Sequence, residues 1–185
     1  MVQSSPKNLT VAAFFALPEG DVAHELVDGR AVAKMAPQRF HSKTQKALLF
    51  ILEAWGRSRG DVGLEWSVVL QRHGVSWVPV PDLLFISYER LPEGFAGDGP
   101  CPVPPELAVE IISPDQTFGG MTEKALDYLS AGVDRVWIVD PKSKSITAFS
   151  ADRVPKIYRG NLPIVDDLLP ELGFTAEELF QAAGL

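Results

Sequence analysis

Between residues 106 and 139 the chain reads strand, helix, strand, and this order limits the possible folds more than any other feature. Residues 106–112 are an apolar run that Ser113-Pro114-Asp115 stops. A helical pattern over 121–131 follows and closes at Gly132, and residues 135–139 are apolar again. Two strands joined by a crossover helix are expected to pair in parallel with a right-handed connection. A sheet containing such a unit is covered by helices, so an α/β architecture is predicted.

The flanking segments add strands of the other orientation. Residues 24–28 and 30–36 surround Asp28-Gly29, a dipeptide suited to a two-residue hairpin turn. Apolar positions 40, 47, 48, 51, 52 and 55 recur at helical spacing, which predicts one long amphipathic helix closing near Gly60. Strands are predicted over 63–70 and 76–80 about the Arg72-His73-Gly74 turn, and over 82–86 as a short buried strand. A Pro/Gly-rich loop spans 92–105. Further strands are read at 145–149 and 154–158, and a terminal helix at 175–183. Thr10 is placed to cap a short helix ended by Pro18-Glu19-Gly20.

With 185 residues, the chain is expected to form a single domain over 1–185, with 1–8 a flexible lead-in. One cysteine, Cys101, excludes an internal disulfide and points to a reducing compartment, the cytoplasm. No apolar run approaches the roughly 18 residues that cross a bilayer, so no membrane association is expected. The run 11–17 lacks a signal-peptide cleavage pattern, and without secretion the Asn8-Leu9-Thr10 sequon carries no meaning. A net charge of −7 opposes binding to a polyanion unless metal ions or local Lys/Arg clusters offset it.

Glu110 is the most informative single residue. In Leu107-Ala108-Val109-Glu110-Ile111-Ile112 the side chains alternate between faces, so Glu110 shares its face with Ala108 and Ile112. A carboxylate on an apolar face requires a metal, a cation or a raised pKa; the bland alternative is an edge-strand Glu or a structural ion pair. Asp82 opens a second apolar strand after Pro81. Two carboxylates at the ends of buried strands match the one or two protein oxygens that Mg²⁺ takes, leaving positions for water and phosphate. Lys124 stands at helical spacing from Met121 and Tyr128, beside the apolar face of the crossover helix, where a long stem can reach the strand ends or lie on the surface.

Taken in order, Val80-Pro81-Asp82, Glu110-Ile111-Ile112-Ser113-Pro114, Lys124 with Tyr128, Ala131-Gly132-Val133 and Trp137-Ile138-Val139-Asp140-Pro141 resemble the Uma-two family of restriction-endonuclease-like proteins. That family is a branch of the PD-(D/E)XK nuclease superfamily. Glu25-Leu26-Val27-Asp28-Gly29, Met35 and His41 are similar to its amino-terminal signature. The resemblance implies a mixed sheet core flanked by helices, with Asp82 and Glu110 holding Mg²⁺ or Mn²⁺ and the backbone carbonyl of Ile111 adding a ligand. It also implies a nucleic-acid substrate, DNA in the first instance, and a homodimer. Glu25 is carried over as an outer-shell group near the metal and His41 as a residue facing the same cleft. Two departures stand out: Ile112 occupies the position where the superfamily carries lysine, which Lys124 matches from the following helix, and glycines lie within 116–120, before Lys124.

Other chemistries find little support. Gly56-Arg57-Ser58-Arg59-Gly60 matches the nucleophile-elbow pattern, but it ends a helix where an elbow should follow a strand; Arg57 and Arg59 are expected to meet solvent or phosphate. His24, His41 and His73 show no zinc spacing, and no phosphate-binding or dinucleotide fingerprint is present. The expectation is therefore metal-assisted phosphodiester hydrolysis. Its rival is the same fold used for binding or assembly without turnover.

Overall fold

The computed structural model describes residues 8–185 except Glu19 and Asp21, so the expected lead-in over 1–8 lies, Asn8 apart, outside the described residues. Thr10 caps α1 (Val11–Phe15), its hydroxyl accepting the Ala13 amide at 3.1 Å. The helix ends ahead of Pro18-Glu19-Gly20, of which Glu19 is not described. The expected hairpin is β1 (His24–Val27) against β2 (Arg30–Ala33), with Asp28 and Gly29 at φ 49° and 73° in the turn. It closes at Ala33, short of the expected residue 36, and the Ala23 carbonyl accepts the Lys34 amide just beyond it.

The long helix is α2 (Arg39–Gly56), which buries Ala47, Leu48, Leu52 and Trp55. Phe40, read with that apolar face, is instead half exposed at the helix's first turn. The region after α2 departs from the predicted pair of strands. β3 (Gly60–Leu64) starts earlier and ends where Glu65 takes a left-handed φ of 49°. The bend lays Trp66 against Gly63, where an added Cβ would meet the Trp66 Cβ and one ring carbon at 2.8 Å. Residues near 70 therefore belong to a separate ribbon, β4 (Leu70–Arg72) with β5 (Val75–Trp77).

Then follow β6 (Leu83–Ser87), β7 (Leu107–Ile111), α3 (Phe118–Ser130), β8 (Arg135–Asp140), β9 (Ser145–Ser150), β10 (Arg153–Arg159) and α4 (Ala176–Ala182). Six strands form one mixed sheet in the order β10-β9-β8-β7-β6-β3. β7 and β8 are parallel, as the crossover unit requires, and the other neighbours are antiparallel. Strand alternation sorts the core into two layers. Leu107, Val109 and Ile111 of β7 pack with the residues of α2 and α4, whereas Ala108 joins Met121, Ala125 and Tyr128 of α3 on the other side.

Two details near the site follow from local chemistry. α3 begins before the predicted residue 121, because the Thr117 hydroxyl accepts the Gly120 amide at 3.1 Å and pulls Gly119 and Gly120 into the first turn. The Pro/Gly-rich loop is held to the body: the Trp66 indole donates to the Gly99 carbonyl, and the Cys101 amide donates to the Ser67 carbonyl at 2.7 Å. Burial at Cys101 pushes the thiol up to about 11.

Gly60 lies opposite Ser87 in the β3–β6 ladder, and a Cβ there would meet the Ile86 carbonyl oxygen at 2.1 Å. Gly60→Ala is expected to destabilise the fold by about 3 kcal/mol in denaturant titration. Gly119→Ala, which meets open space within a helix, is expected to stabilise it by about 0.5 kcal/mol. Native protein at pH 8 is expected to resist iodoacetamide at Cys101, with mass spectrometry detecting rapid labelling only in denaturant.

Candidate active site

Glu25, His41, Asp82, Glu110, Ile111 and Lys124 all line one cavity of about 100 Å³. Strand register brings the two central acids together. In the antiparallel β6–β7 ladder Leu83 faces Val109, and one step beyond that pair Asp82 comes opposite Glu110. Both are buried, at 2% exposure.

Alternation points Glu110 to the α3 side of the sheet, where α3 meets it with two donors one helical turn apart. The Lys124 ammonium lies 2.9 Å from Glu110 Oε1, and the Tyr128 hydroxyl donates to the same oxygen at 2.8 Å. Among the described residues these contacts fall on Oε1 and leave Oε2 uncommitted. Burial still outweighs them and pushes the Glu110 carboxyl up to about 7, with Asp82 and Glu25 adding to the rise and Lys124 opposing it. Lys124 also donates to Glu25 Oε1 at 2.9 Å. Burial alone would lower the ammonium's pKa, but the two carboxylates prevail and raise it above its ordinary value, so Lys124 is a fixed positive charge.

Asp82 has the opposite surroundings. Its Oδ2 accepts the Ile111 amide at 2.7 Å and lies 3.0 Å from His41 Nε2. The Lys34 ammonium is 2.8 Å from Oδ1. Burial pushes the Asp82 carboxyl up, but His41 and Lys34 together hold it below the ordinary carboxylate range. The Gln45 amide accounts for the Asp82 backbone carbonyl at 3.1 Å. In an extended strand the N–H and C=O of one residue point the same way. The Ile111 carbonyl is thus directed to the edge where its amide meets Asp82.

Glu25 is set by the β1–β2 ribbon. Its Oε1 accepts the Val80 amide at 2.9 Å as well as the Lys124 proton, which fastens the ribbon to the segment entering Asp82. Of the two arginines expected to meet solvent or phosphate, Arg57 is exposed at the end of α2. Arg59 is a structural residue instead: it donates to the Trp55 carbonyl at 2.7 Å, stacks on the Trp55 ring and pairs with Glu171. Gly56 ends α2 and Gly60 begins β3, so the elbow-like string runs from helix to strand, the reverse of an elbow.

The family model described as "Uma2: Putative restriction endonuclease" matches residues 11–177. The chain belongs to the Uma2 family. Its fold is similar to that in a crystal structure titled as a putative nuclease belonging to DUF820 from Anabaena variabilis ATCC 29413, with a TM-score of 0.81 at 23% identity over 95% of this chain and 99% of that one. A comparison with curated proteins finds no match. No described helix is long and apolar enough to cross a membrane.

The departures from the superfamily pattern now have a geometry. Ile112 is partly buried against the α3-side core, and the ammonium arrives from Lys124. The glycines before Lys124 form a capped helical turn that carries it to Glu110. Sequence reasoning missed three participants: Lys34, Gln45 and the Tyr128 hydroxyl as a partner of Glu110. A signal for Lys34 was present, since the Asp28-Gly29 turn sets Glu25 opposite Val32 and so puts Lys34 on the face of Glu25. Gln45 follows His41 by one helical turn, but nothing in its surroundings marked it.

The donors fit a hard divalent ion. Among the described residues no three His, Cys, Asp or Glu side chains form a metal-holding group, but Mg²⁺ is ordinarily held by one or two carboxylates with water and phosphate oxygens. Asp82 Oδ1, which meets only the Lys34 ammonium, and Glu110 Oε2 are the carboxylate oxygens that could hold such an ion.

Removing Lys124 leaves Glu110 buried beside other acids. Lys124→Met is expected to lower stability by about 3 kcal/mol above pH 7. The Glu110 carboxyl is already pushed up to about 7 and loss of Lys124 raises it further, so both chains lose stability alike from the ordinary carboxyl value to about pH 7, and the penalty opens only above that and is small at pH 5. Urea melts at both ends of that range check it.

Proposed function

We propose that this Uma2 protein is a metal-dependent endonuclease that hydrolyses DNA phosphodiester bonds. The observation that carries the reading is the pairing across β6 and β7 of Asp82, whose Oδ1 meets only the Lys34 ammonium, with Glu110, and with the Lys124 ammonium 2.9 Å from Glu110. Asp82 and Glu110 would hold Mg²⁺ or Mn²⁺, with the Ile111 carbonyl as a further oxygen. When bound, the ion supplies Lewis acidity toward the phosphoryl oxygens and toward the attacking water.

The remaining work falls to this chain's own groups. Lys124 is held protonated by its two carboxylate neighbours, so it serves as a hydrogen-bond donor to a phosphoryl oxygen and not as a general base. Glu25 acts through Lys124 as a positioning residue. His41 and the Ile111 amide orient Asp82 through Oδ2, which keeps Oδ1 turned away from them. Tyr128 does the same for Glu110. In the cavity Lys34 and Lys124 face the carboxylates of Glu25, Asp82 and Glu110, so a bound divalent ion would be what turns the site positive toward phosphate in a chain of net charge −7. The family resemblance extends the reading to a cytoplasmic homodimer, which sedimentation at working concentration checks.

Purified protein incubated with plasmid and linear DNA is expected to cut in Mg²⁺ or Mn²⁺ and to stop in excess chelator. Asp82→Asn and Glu110→Gln are each expected to reduce cleavage by about 100-fold or more, and Lys124→Met by a similar factor. Cleavage that persists in Asp82→Asn would overturn the site. DNA retained without being cut would favour the binding-module reading instead.

A further inference from the structure

The Lys34 ammonium has one close partner in the cavity, Asp82 Oδ1. The two groups approach to 2.8 Å. Lys34 Nζ and Asp82 Oδ1 are both buried and neither has a further hydrogen-bond partner, so each is matched only by the other. An ammonium carries three donors, and one carboxylate oxygen does not satisfy them all, so the buried Lys34 head is left short of partners. Asp82 Oδ2 is occupied by the Ile111 amide and His41. Oδ1 is therefore the oxygen a cation must use, and the Lys34 ammonium already stands against it.

A second anionic partner lies within reach. Lys34 Nζ is 3.9 Å from Glu65 Oε1, and the Glu65 side chain is 39% exposed where that of Asp82 is 2%. Glu65 takes the left-handed conformation that ends β3, and its amide donates to the Asp82 carbonyl at 3.3 Å. Its backbone is thereby tied beside Asp82 while its carboxylate stays toward solvent. The Lys34 backbone is anchored too, through its amide to the Ala23 carbonyl at 2.8 Å. A change of partner thus needs only rotation of the four-carbon lysine stem.

We propose that Lys34 is a built-in competitor for the cation at Asp82: its ammonium neutralises Oδ1 until a divalent ion arrives and then transfers to Glu65. This inference rests on the metal-site reading of the cavity. Lys34 is a positioning residue that sets the metal concentration at which the site loads. Two cations cannot share one buried carboxylate oxygen without strong repulsion, so occupancy by one excludes contact by the other. Glu65 makes the exchange reversible by offering the displaced ammonium a wetter counter-charge.

Calorimetric titration of the full chain with Mn²⁺ tests this without reference to cleavage, with Asp82→Asn as the control for the site. Lys34→Met and Lys34→Gln, which remove the charge, are expected to bind Mn²⁺ about tenfold more tightly than the unaltered chain. Lys34→Arg, which keeps the charge, is expected to bind no more tightly. Glu65→Gln is expected to weaken binding severalfold by about as much as it strands Lys34 on Asp82, and this effect is expected to vanish in the Lys34→Met background. A lysine needed only to dock the ribbon would give the opposite result, weaker binding in Lys34→Met and Lys34→Gln. Mn²⁺ binding that is lost in Asp82→Asn but unchanged or weaker in both charge-removing variants overturns the role of Lys34 and leaves the metal site standing. No binding by the unaltered chain or by any Lys34 variant overturns both.

Discussion

Glu110 is a carboxylate on the apolar side of a central strand, and the arrangement of the site follows from accommodating it. β7 is flanked by β6 and β8, so neither edge of the strand offers water to the side chain. Compensation has to come from the layer above. α3 supplies it with Lys124 and Tyr128, which sit one turn apart and converge on a single carboxylate oxygen. The capped turn at Thr117 extends the helix toward the strand end and so belongs to the same solution. Glu25 then balances the surplus positive charge of Lys124 and, through the Val80 amide, draws the β1–β2 ribbon over the cavity.

The two acids are paired in position and opposed in environment. Glu110 has more burial than its donors can offset, and its carboxyl is pushed up to about 7. Asp82 is as deeply buried, yet His41 and Lys34 hold it below the usual range. A site with one acid kept charged and another near neutrality has one permanent anchor for a cation and one group whose charge depends on what enters the cavity. That contrast cannot be read from residue type, since Asp and Glu have nearly the same ordinary pKa.

The parts of the fold that were legible are those where a local rule leaves little choice. Asp28-Gly29 specified a hairpin, the 3.6-residue period specified α2 and α3, and Ser113-Pro114-Asp115 with Gly132 delimited the crossover. Errors arose where a long-range contact overrode the local pattern. The single strand expected over 63–70 was divided because Trp66 packs on Gly63 and Glu65 turns the chain. Phe40 fits the apolar period of α2, but at that first turn His41, Thr44 and Gln45 take the buried face and Phe40 remains half exposed. Arg59 is absorbed by Trp55 and Glu171, partners that no short window of sequence could identify.

By itself, the sequence determined the chemistry available: a carboxylate on the apolar face of a strand, a second acid opening another strand, a lysine beside the apolar face of the crossover helix, and an ordered set of motifs that resembles one nuclease-fold family. Periodicity and alternation suffice for this because they depend only on neighbours along the chain. The tertiary structure decided which groups meet. The β6–β7 register puts Asp82 across from Glu110, and the folded hairpin delivers Glu25 and Lys34 to the same cavity. Pairing between strands separated by a twenty-residue-scale loop is set by the packing of whole layers, and a shift of one residue would turn these side chains to the other face. Lys34 belongs to the structure's share for the same reason: a lysine beyond a short strand becomes a partner of Asp82 only once the ribbon is docked.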